Sequence, residues 1–504
     1  MSILNSWGQH SQQCVEHIFE LSQSQTHQRE TVIIGGGISG ILTALRLSRV
    51  PGKLERGITL LESAPTLGGR LFFSAPQNAQ ALSRSEMFLK RLEHCRTGKA
   101  GGFGFESLGN EAAQSIERHL RSALSDEELQ FVDLFISEAQ TETDNESRTT
   151  FFVKKGLIPF SEAIGNSSEL LTRKEAEILS GLLRDTPQEY ASVESKLSWQ
   201  EAPTWKTLTN AQKDSLQPFL ETLVAKGILE YNEHTAKKHL DEFSRAINNP
   251  THASFRRTSG FELACELILR SRGIEVLTST KLVRLVSPQN HSFELTATNA
   301  AERKELQITA SSVVIAAPLI SCIPFLPREF LSGNQAKNIL RNPPSSLVVA
   351  EYADFGTFRE PEVCAPLKPG DKVLFTTERI QGTINRAGSL LLFSFLNYEE
   401  SLQAESVRET VGRIRRAANR VLVADALKST AGRTLVHMNT GIKERLVLMP
   451  VARQFENPAV PLREVRMGVK GLYSCGDNFS FDIAPWKNIV QSVHDVISIL
   501  SKES

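Results

Sequence analysis

Metal-ligand spacings, thiol pairs and long apolar runs are all missing from this chain of 504 residues. Its six cysteines (Cys14, Cys95, Cys265, Cys322, Cys364, Cys475) form no C-x-x-C pair, which argues against a zinc site or a dithiol redox motif and leaves buried free thiols as the default. The eleven histidines show neither H-x-x-x-H nor H-E-x-x-H, so no metal is expected. No G-x-S-x-G elbow marks a hydrolase nucleophile. No apolar run approaches the roughly 18 residues that span a bilayer, and the first residues lack a basic stretch followed by an apolar one, so neither a membrane span nor secretion is expected. Net charge is missing too: 57 Lys plus Arg balance 57 Asp plus Glu, leaving no overall field to recruit nucleic acid or an anionic membrane. A local patch, and with it peripheral membrane contact, stays open. The most basic stretch, Arg413 to Arg420, lies on a helical pattern with Val407, Val411, Ile414 and Val421 opposite. It reads as a solvated helix face, with a phosphate-binding surface as the alternative.

What is present is an ordinary globular composition, 40% hydrophobic and 23% charged, of the kind found in cytoplasmic enzymes. The length exceeds what one core organises and favours at least two domains, assembled from non-contiguous pieces. Residues 1 to 29 carry one short helical pattern around Val15, Ile18, Phe19 and Leu21, either a packing helix or part of a leader. Thr31 to Ile34 is a β-branched run followed by glycines and then the helical stretch Ile41 to Leu47, the opening of a βαβ unit. Ile58 to Leu61 supplies a second parallel strand. Residues 75 to 100 are polar and basic, a surface insertion, and the region from Ala112 to about Asn249 reads as mainly helical. A helix ending at Arg272 then leads back to sheet at Ile274 to Leu277, Lys281 to Val286 and Ser312 to Ala317. Strands are expected at Leu347 to Tyr352, Val373 to Thr377 and Leu390 to Asn397, and a last strand and helix at Leu472 to Ser474 and about Trp486 to Leu500.

The motif with chemical content is Gly35-Gly36-Gly37-Ile38-Ser39-Gly40, a G-x-G-x-x-G between a strand and a helix. Gly35 permits the tight turn, Gly37 lets backbone approach a pyrophosphate, and Gly40 lets helix and strand pack, while free N–H groups at the helix start face the phosphates. Glu62 follows Gly40 by 22 residues (62 minus 40), at the end of the second strand. An acid there accepts hydrogen bonds from ribose hydroxyls and repels a 2′-phosphate, which disfavours NADP.

Leu67-Gly68-Gly69-Arg70-Leu71 follows, and the run from Val32 through Glu62 to Arg70 resembles the N-terminal signature of the flavin-containing amine oxidase superfamily, which includes protoporphyrinogen oxidases and carotenoid desaturases. The resemblance implies an α/β fold: a Rossmann-like FAD-binding domain (28–110, 255–330 and 466–504) interleaved with an α+β substrate domain (111–254 and 331–465). It implies FAD held by Gly35, Gly37, Ile38, Ser39, Gly40, Glu62, Ser63, Gly68, Gly69, Arg70 and Leu71, with the arginine fork near the pyrophosphate. Lys281 to Val286 is similar to the strand that packs at the adenine, through Val283. Leu108, Gly109 and Asn110 resemble the segment crossing under the flavin ring. Gly476 and Asp477 match the C-terminal strand end that meets the pyrophosphate and ribityl region, and Trp486 and Ile489 belong to the helix whose N-terminus faces the flavin.

Departures from that pattern shape the expected activity. Amine oxidases keep a lysine on a substrate-domain strand, and the matching stretch Pro344 to Ala350 has none. Their aromatic pair before the last helix is replaced by Pro485 next to Trp486, their Ser-Gly in that helix reads Ser492-Val493, and the arginine after the ribose acid is replaced by Ala64-Pro65. These differences count against simple amine oxidation and favour desaturation. The expectation is therefore an FAD-dependent oxidase or dehydrogenase, moving a hydride from a C–N or C–C bond to flavin N5, with no catalytic side chain named. The substrate is a small molecule or a peptide, and O2 or an electron carrier is the final acceptor. Phe103, Phe105, Phe479, Phe481 and Trp486 are pocket candidates, with plain packing as the alternative. A non-enzymatic escort protein on the same fold and a flavoenzyme acting on a partner protein are the rival functions.

Overall fold

The computed structural model describes residues 11–21, 28–69, 118–139, 149–153, 156–159, 261–287, 292–300, 304–341, 345–352, 372–375, 380–384, 390–396, 398–426, 444–451, 464–476 and 485–502, and short pieces at 85–86, 88–90, 92, 177, 206–209 and 212. The sequence-derived positions Arg70, Leu71, Leu108, Gly109, Asn110, Asp477, Phe103, Phe105, Phe479 and Phe481 lie outside the described residues.

Two sheets organise the described residues. The first begins with β1 (Gln28–Ile34), a strand three residues longer than its apolar run indicates, and continues through helix α2 (Ile38–Leu47) to β2 (Ile58–Leu61). All four residues of β2 are buried, as continuous apolar runs in parallel strands are. Nine residues of α2 are buried and only Arg46 is not, so this is a helix enclosed on every side. β5 (Glu275–Leu277), β6 (Thr280–Val286), β7 (Phe293–Asn299) and β8 (Lys304–Ile315) follow, and β14 (Leu472–Ser474) completes the sheet. Its parallel strands lie in the order β5-β2-β1-β8-β14. β6 and β7 form an antiparallel meander that enters the sheet through the first half of the twelve-residue β8.

That strand order contains a switch point. From β1 the chain moves through α2 to β2 on one side, whereas β8 is flanked on its other side by β14. The crevice at the carboxyl ends of β1 and β8 is where open α/β sheets bind ligands.

Three further helices surround this sheet's core: α1 (Ser11–Leu21), α3 (Asp126–Ala139) and α4 (Phe261–Ser271). The amino-terminal pattern is a packing helix: Cys14, Val15, Ile18 and Phe19 of α1 are buried, and α1 packs on α4. Phe19 meets Phe88 with ring centroids 5.6 Å apart, and the Arg270 guanidinium lies 4.0 Å from the Phe19 ring centroid. The carboxyl-terminal helix α7 (Pro485–Lys502) packs against α2, burying Val493, Val496 and Leu500.

The second sheet has the order β13-β9-β12-β11-β10-β3-β4. Its strands are β3 (Thr149–Val153), β4 (Gly156–Pro159), β9 (Ser345–Tyr352), β10 (Lys372–Phe375), β11 (Ile380–Ile384), β12 (Leu390–Leu396) and β13 (Glu444–Val451). The β3–β4 hairpin lies inside the stretch 112 to 249 that reads as mainly helical, most of which is outside the described residues. Thr149 to Phe151 of β3 pair with β10, more than two hundred residues away, which local periodicity cannot signal. Helix α5 (Gly333–Arg341) precedes β9, and α6 (Ala404–Ala426) packs on β9, β11 and β12. Val348, Ala350 and Tyr352 alternate into a separate core with Leu390, Leu392, Ile414 and Ala417. Opposite that buried face Arg415 and Arg416 of α6 are exposed, the solvated arrangement.

Candidate functional site: the glycine turn at the strand switch point

Gly35 leaves β1 at φ +107°, a conformation that L side chains rarely adopt. A Cβ there would also stand 2.9 Å from Ala317 N and 3.0 Å from Ala316 C, so the glycine turn lies flat against the end of β8. Gly36 faces the end of β2, and its N–H donates to Glu62 Oε2 at 2.6 Å. At Gly40 a Cβ would overlap the Gly35 carbonyl oxygen, which is why α2 can start so close to the strand.

Gly37 differs from its neighbours. A Cβ at Gly37 would meet nothing within 4 Å, and the residue caps α2 in an extended conformation without a side-chain hydrogen bond. The first N–H groups of an uncapped helix, beside open space at a switch point, suit an anionic ligand such as a pyrophosphate. The Gly68–Gly69 segment borders the same turn: Gly68 N–H donates to Gly36 O at 2.8 Å, and a Cβ on Gly69 would lie 3.1 Å from Gly37 Cα. Of the sequence-derived residues, Gly35, Gly37, Ile38, Ser39, Gly40, Glu62, Gly68 and Gly69 are thus brought together around one turn.

Glu62 is buried, and its carboxylate is largely engaged by its own chain. Oε1 accepts Ala64 N–H at 2.7 Å and the Ser63 hydroxyl at 3.2 Å, and Oε2 accepts Gly36 N–H. Burial pushes the Glu62 carboxyl above its ordinary pKa against the opposing pull of these hydrogen bonds. Ser63, itself exposed, therefore reaches a ligand only through or beside Glu62.

At the third edge, Gly476 ends β14 at φ +124°, and a Cβ on it would lie 3.4 Å from Ser39 Oγ. Its N–H donates to Ser492 Oγ at 3.0 Å. Ile489 packs on the core, and Trp486 lies in the first turn of α7. Val283 sits at a bulge in β6 with its side chain 49% exposed, and Thr280 of the same strand donates its N–H to Glu62 O at 2.8 Å. Ala316-Ala317 end the strand Ser312 to Pro318, which resembles the family's strand ending in small residues near the cofactor, and they do border the turn. The contacts of Gly36 and Ser492 were not read from the sequence: Gly36 was visible only as the middle glycine of the motif, and Ser492 only as a hydroxyl in the last helix.

Buried thiols account for the four described cysteines, Cys14, Cys265, Cys322 and Cys475. Burial pushes Cys322 and Cys475 up to about 12, and Cys475 lies 3.6 Å from Thr43 Oγ1 of α2. Among the described residues no three His, Cys, Asp or Glu side chains gather as a metal site, and no helix is long and apolar enough to cross a membrane.

A family model described as an NAD(P)-binding Rossmann-like domain matches residues 33–83. No curated protein matches the chain. Among solved structures, a triple variant of putrescine oxidase from a redesign of its cofactor binding superposes with a TM-score of 0.50 at 13% identity, covering 95% of this chain and 99% of that one. Cyclohexylamine oxidase from Brevibacterium oxydans gives 0.50 at 13% identity, covering 94% and 99%. An oxidoreductase from Methanosarcina mazei gives 0.49 at 16% identity, covering 93% and 100%. The chain has the α/β fold of the putrescine and cyclohexylamine oxidase structures, with a Rossmann-like nucleotide-binding domain, so the resemblance drawn from its motifs holds at the level of fold.

Proposed function

We propose that this protein is an FAD-dependent oxidoreductase. The observation that carries the reading is the open space at Gly37, over the uncapped start of α2 at the β1/β8 switch point. The residues fit a dinucleotide: α2 presents its N–H groups to the pyrophosphate, Gly35 and Gly40 bring strand and helix close, and Glu62 stands at the end of β2, where a ribose hydroxyl would reach it. Gly68 to Leu71, Val283, Gly476, Asp477, Trp486 and Ile489, with Leu108 to Asn110, extend the same site along FAD. The first domain is residues 28–110, 255–330 and 466–504. FAD, when bound, supplies a two-electron acceptor able to take a hydride from a C–N or C–C bond.

What the chain contributes is binding, orientation and exclusion of water. The putrescine and cyclohexylamine oxidases of like fold are named for amine substrates, which supports a small-molecule substrate here. The lysine-free β9 favours a C–C desaturation over amine oxidation. Purified protein is expected to show a flavin absorption spectrum that bleaches anaerobically with the true substrate class, polyenes or amines. A colourless protein that also fails to bind added FAD overturns the reading and leaves the escort function. Gly37→Val is expected to cut FAD affinity at least about tenfold, while costing only about 1 kcal/mol of stability as an unfavourable N-cap. Retained affinity refutes the role given to Gly37.

A further inference from the structure

The end of β14 is tied to α7 by a hydroxyl that is itself fully buried. Ser492 lies seven residues after Pro485 (492 minus 485) and is 0% exposed. Its hydroxyl donates to Ile489 O at 3.0 Å, a bond within its own helix, and accepts Gly476 N–H at 3.0 Å. The first bond commits the hydroxyl proton, so its oxygen is left as an acceptor aimed at Gly476. Gly476 in turn stands in the left-handed region against Ser39, in the first turn of α2 and two residues past Gly37.

The geometry points to Ser492 as a positioning residue for the dinucleotide. It does not touch the ligand. By holding Gly476 N–H it sets the gap between the end of β14 and the start of α2, and it makes β14 and α7 move as one against the glycine turn. Without it a buried N–H loses its acceptor, and the left-handed turn at Gly476 is free to shift toward the space beside Gly37. This inference rests on the FAD reading, and its test separates the two.

FAD is titrated into apo-protein by flavin fluorescence, alongside thermal unfolding, for wild type, Ser492→Ala, Ser492→Thr and Val496→Ala. Ser492→Ala is expected to raise the FAD Kd about tenfold, as loss of one acceptor for a buried N–H implies. Ser492→Thr keeps the hydroxyl and is expected to stay within about threefold of wild type. Val496→Ala, buried on the same helix, is expected to lower Tm while leaving Kd within about twofold. Should the alanine variant not fold, Ser492→Cys, close in volume but a poor acceptor, is expected to show the same direction of weakening. Unchanged Kd in the variant lacking the hydroxyl, equal weakening by Val496→Ala, or a threonine variant as weak as alanine each overturns the positioning role. Wild-type protein that binds no FAD overturns the cofactor reading itself.

Discussion

A methyl group at Gly40 would overlap the Gly35 carbonyl oxygen, both of them backbone positions that cannot swing aside. Gly40→Ala is therefore expected to destabilise the protein by about 3 kcal/mol or to prevent folding, measured by urea unfolding with and without FAD. Near-wild-type stability would show that α2 and β1 can separate. Gly37, three positions earlier in the same motif, carries no such packing demand, so the two substitutions divide the motif into a packing glycine and a ligand-facing glycine. Both assignments were legible in the sequence, because strand, glycines and helix are local features. The engagement of Glu62 was not. Its strand-end position follows from the pattern, but that Gly36, Ala64 and Ser63 surround its carboxylate depends on the pairing of β1 with β2 and on the turn that follows β2. Val283 shows the same limit, since a bulge between Leu282 and Arg284 resets which way the strand's side chains point.

Helices α2, α3 and α4 are joined at Arg272. Its guanidinium donates to Glu128 Oε1 at 2.7 Å and Oε2 at 2.6 Å, to Leu45 O and Ser48 Oγ at the end of α2, and to Ala123 O. Glu128 also accepts Ser125 N–H at 2.7 Å, closing a capping box at the start of α3. Burial pushes the Glu128 carboxyl up, but hydrogen bonds from Arg272 and Ser125 and the Arg272 charge hold it below its ordinary range. A depressed carboxyl stabilises the fold above its unfolded pKa, about 4.3, and that stability is lost as pH falls through the lower folded value. Glu128→Gln is accordingly expected to cost about 3 kcal/mol at pH 7, with the deficit shrinking below about pH 4, measured by urea unfolding at both pH values. A pH-independent difference would refute the ion-pair account. None of this junction could be read from spacing alone, because its partners lie 144 and 227 residues from Arg272. The docking of α1 was undecided in the sequence for the same reason: a short amphipathic pattern does not say whether a partner such as Arg270 or Phe88 waits for it.

Across the whole molecule, two sheets with separate cores are woven from alternating stretches of one chain, and the glycine turn lies where the first sheet reverses its strand order. FAD at a hundredfold over its Kd is expected to add about 2.7 kcal/mol to stability and raise Tm, whereas NADP+, whose 2′-phosphate faces Glu62, is expected to add far less. An equal response to both would refute the discrimination assigned to Glu62. The amino-acid sequence by itself determined the βαβ opening, the glycine turn, the acid after β2, most strands of the first sheet and three of the seven in the second, because apolar periodicity and glycine placement act within a few residues. Tertiary structure alone decided that Ser492 holds Gly476 beside that turn, that β3 and β4 join the second sheet, and that Val283 sits at a bulge with its side chain exposed. Those outcomes depend on strand order and helix packing between segments hundreds of residues apart, where the contacts that select them leave no local periodic trace.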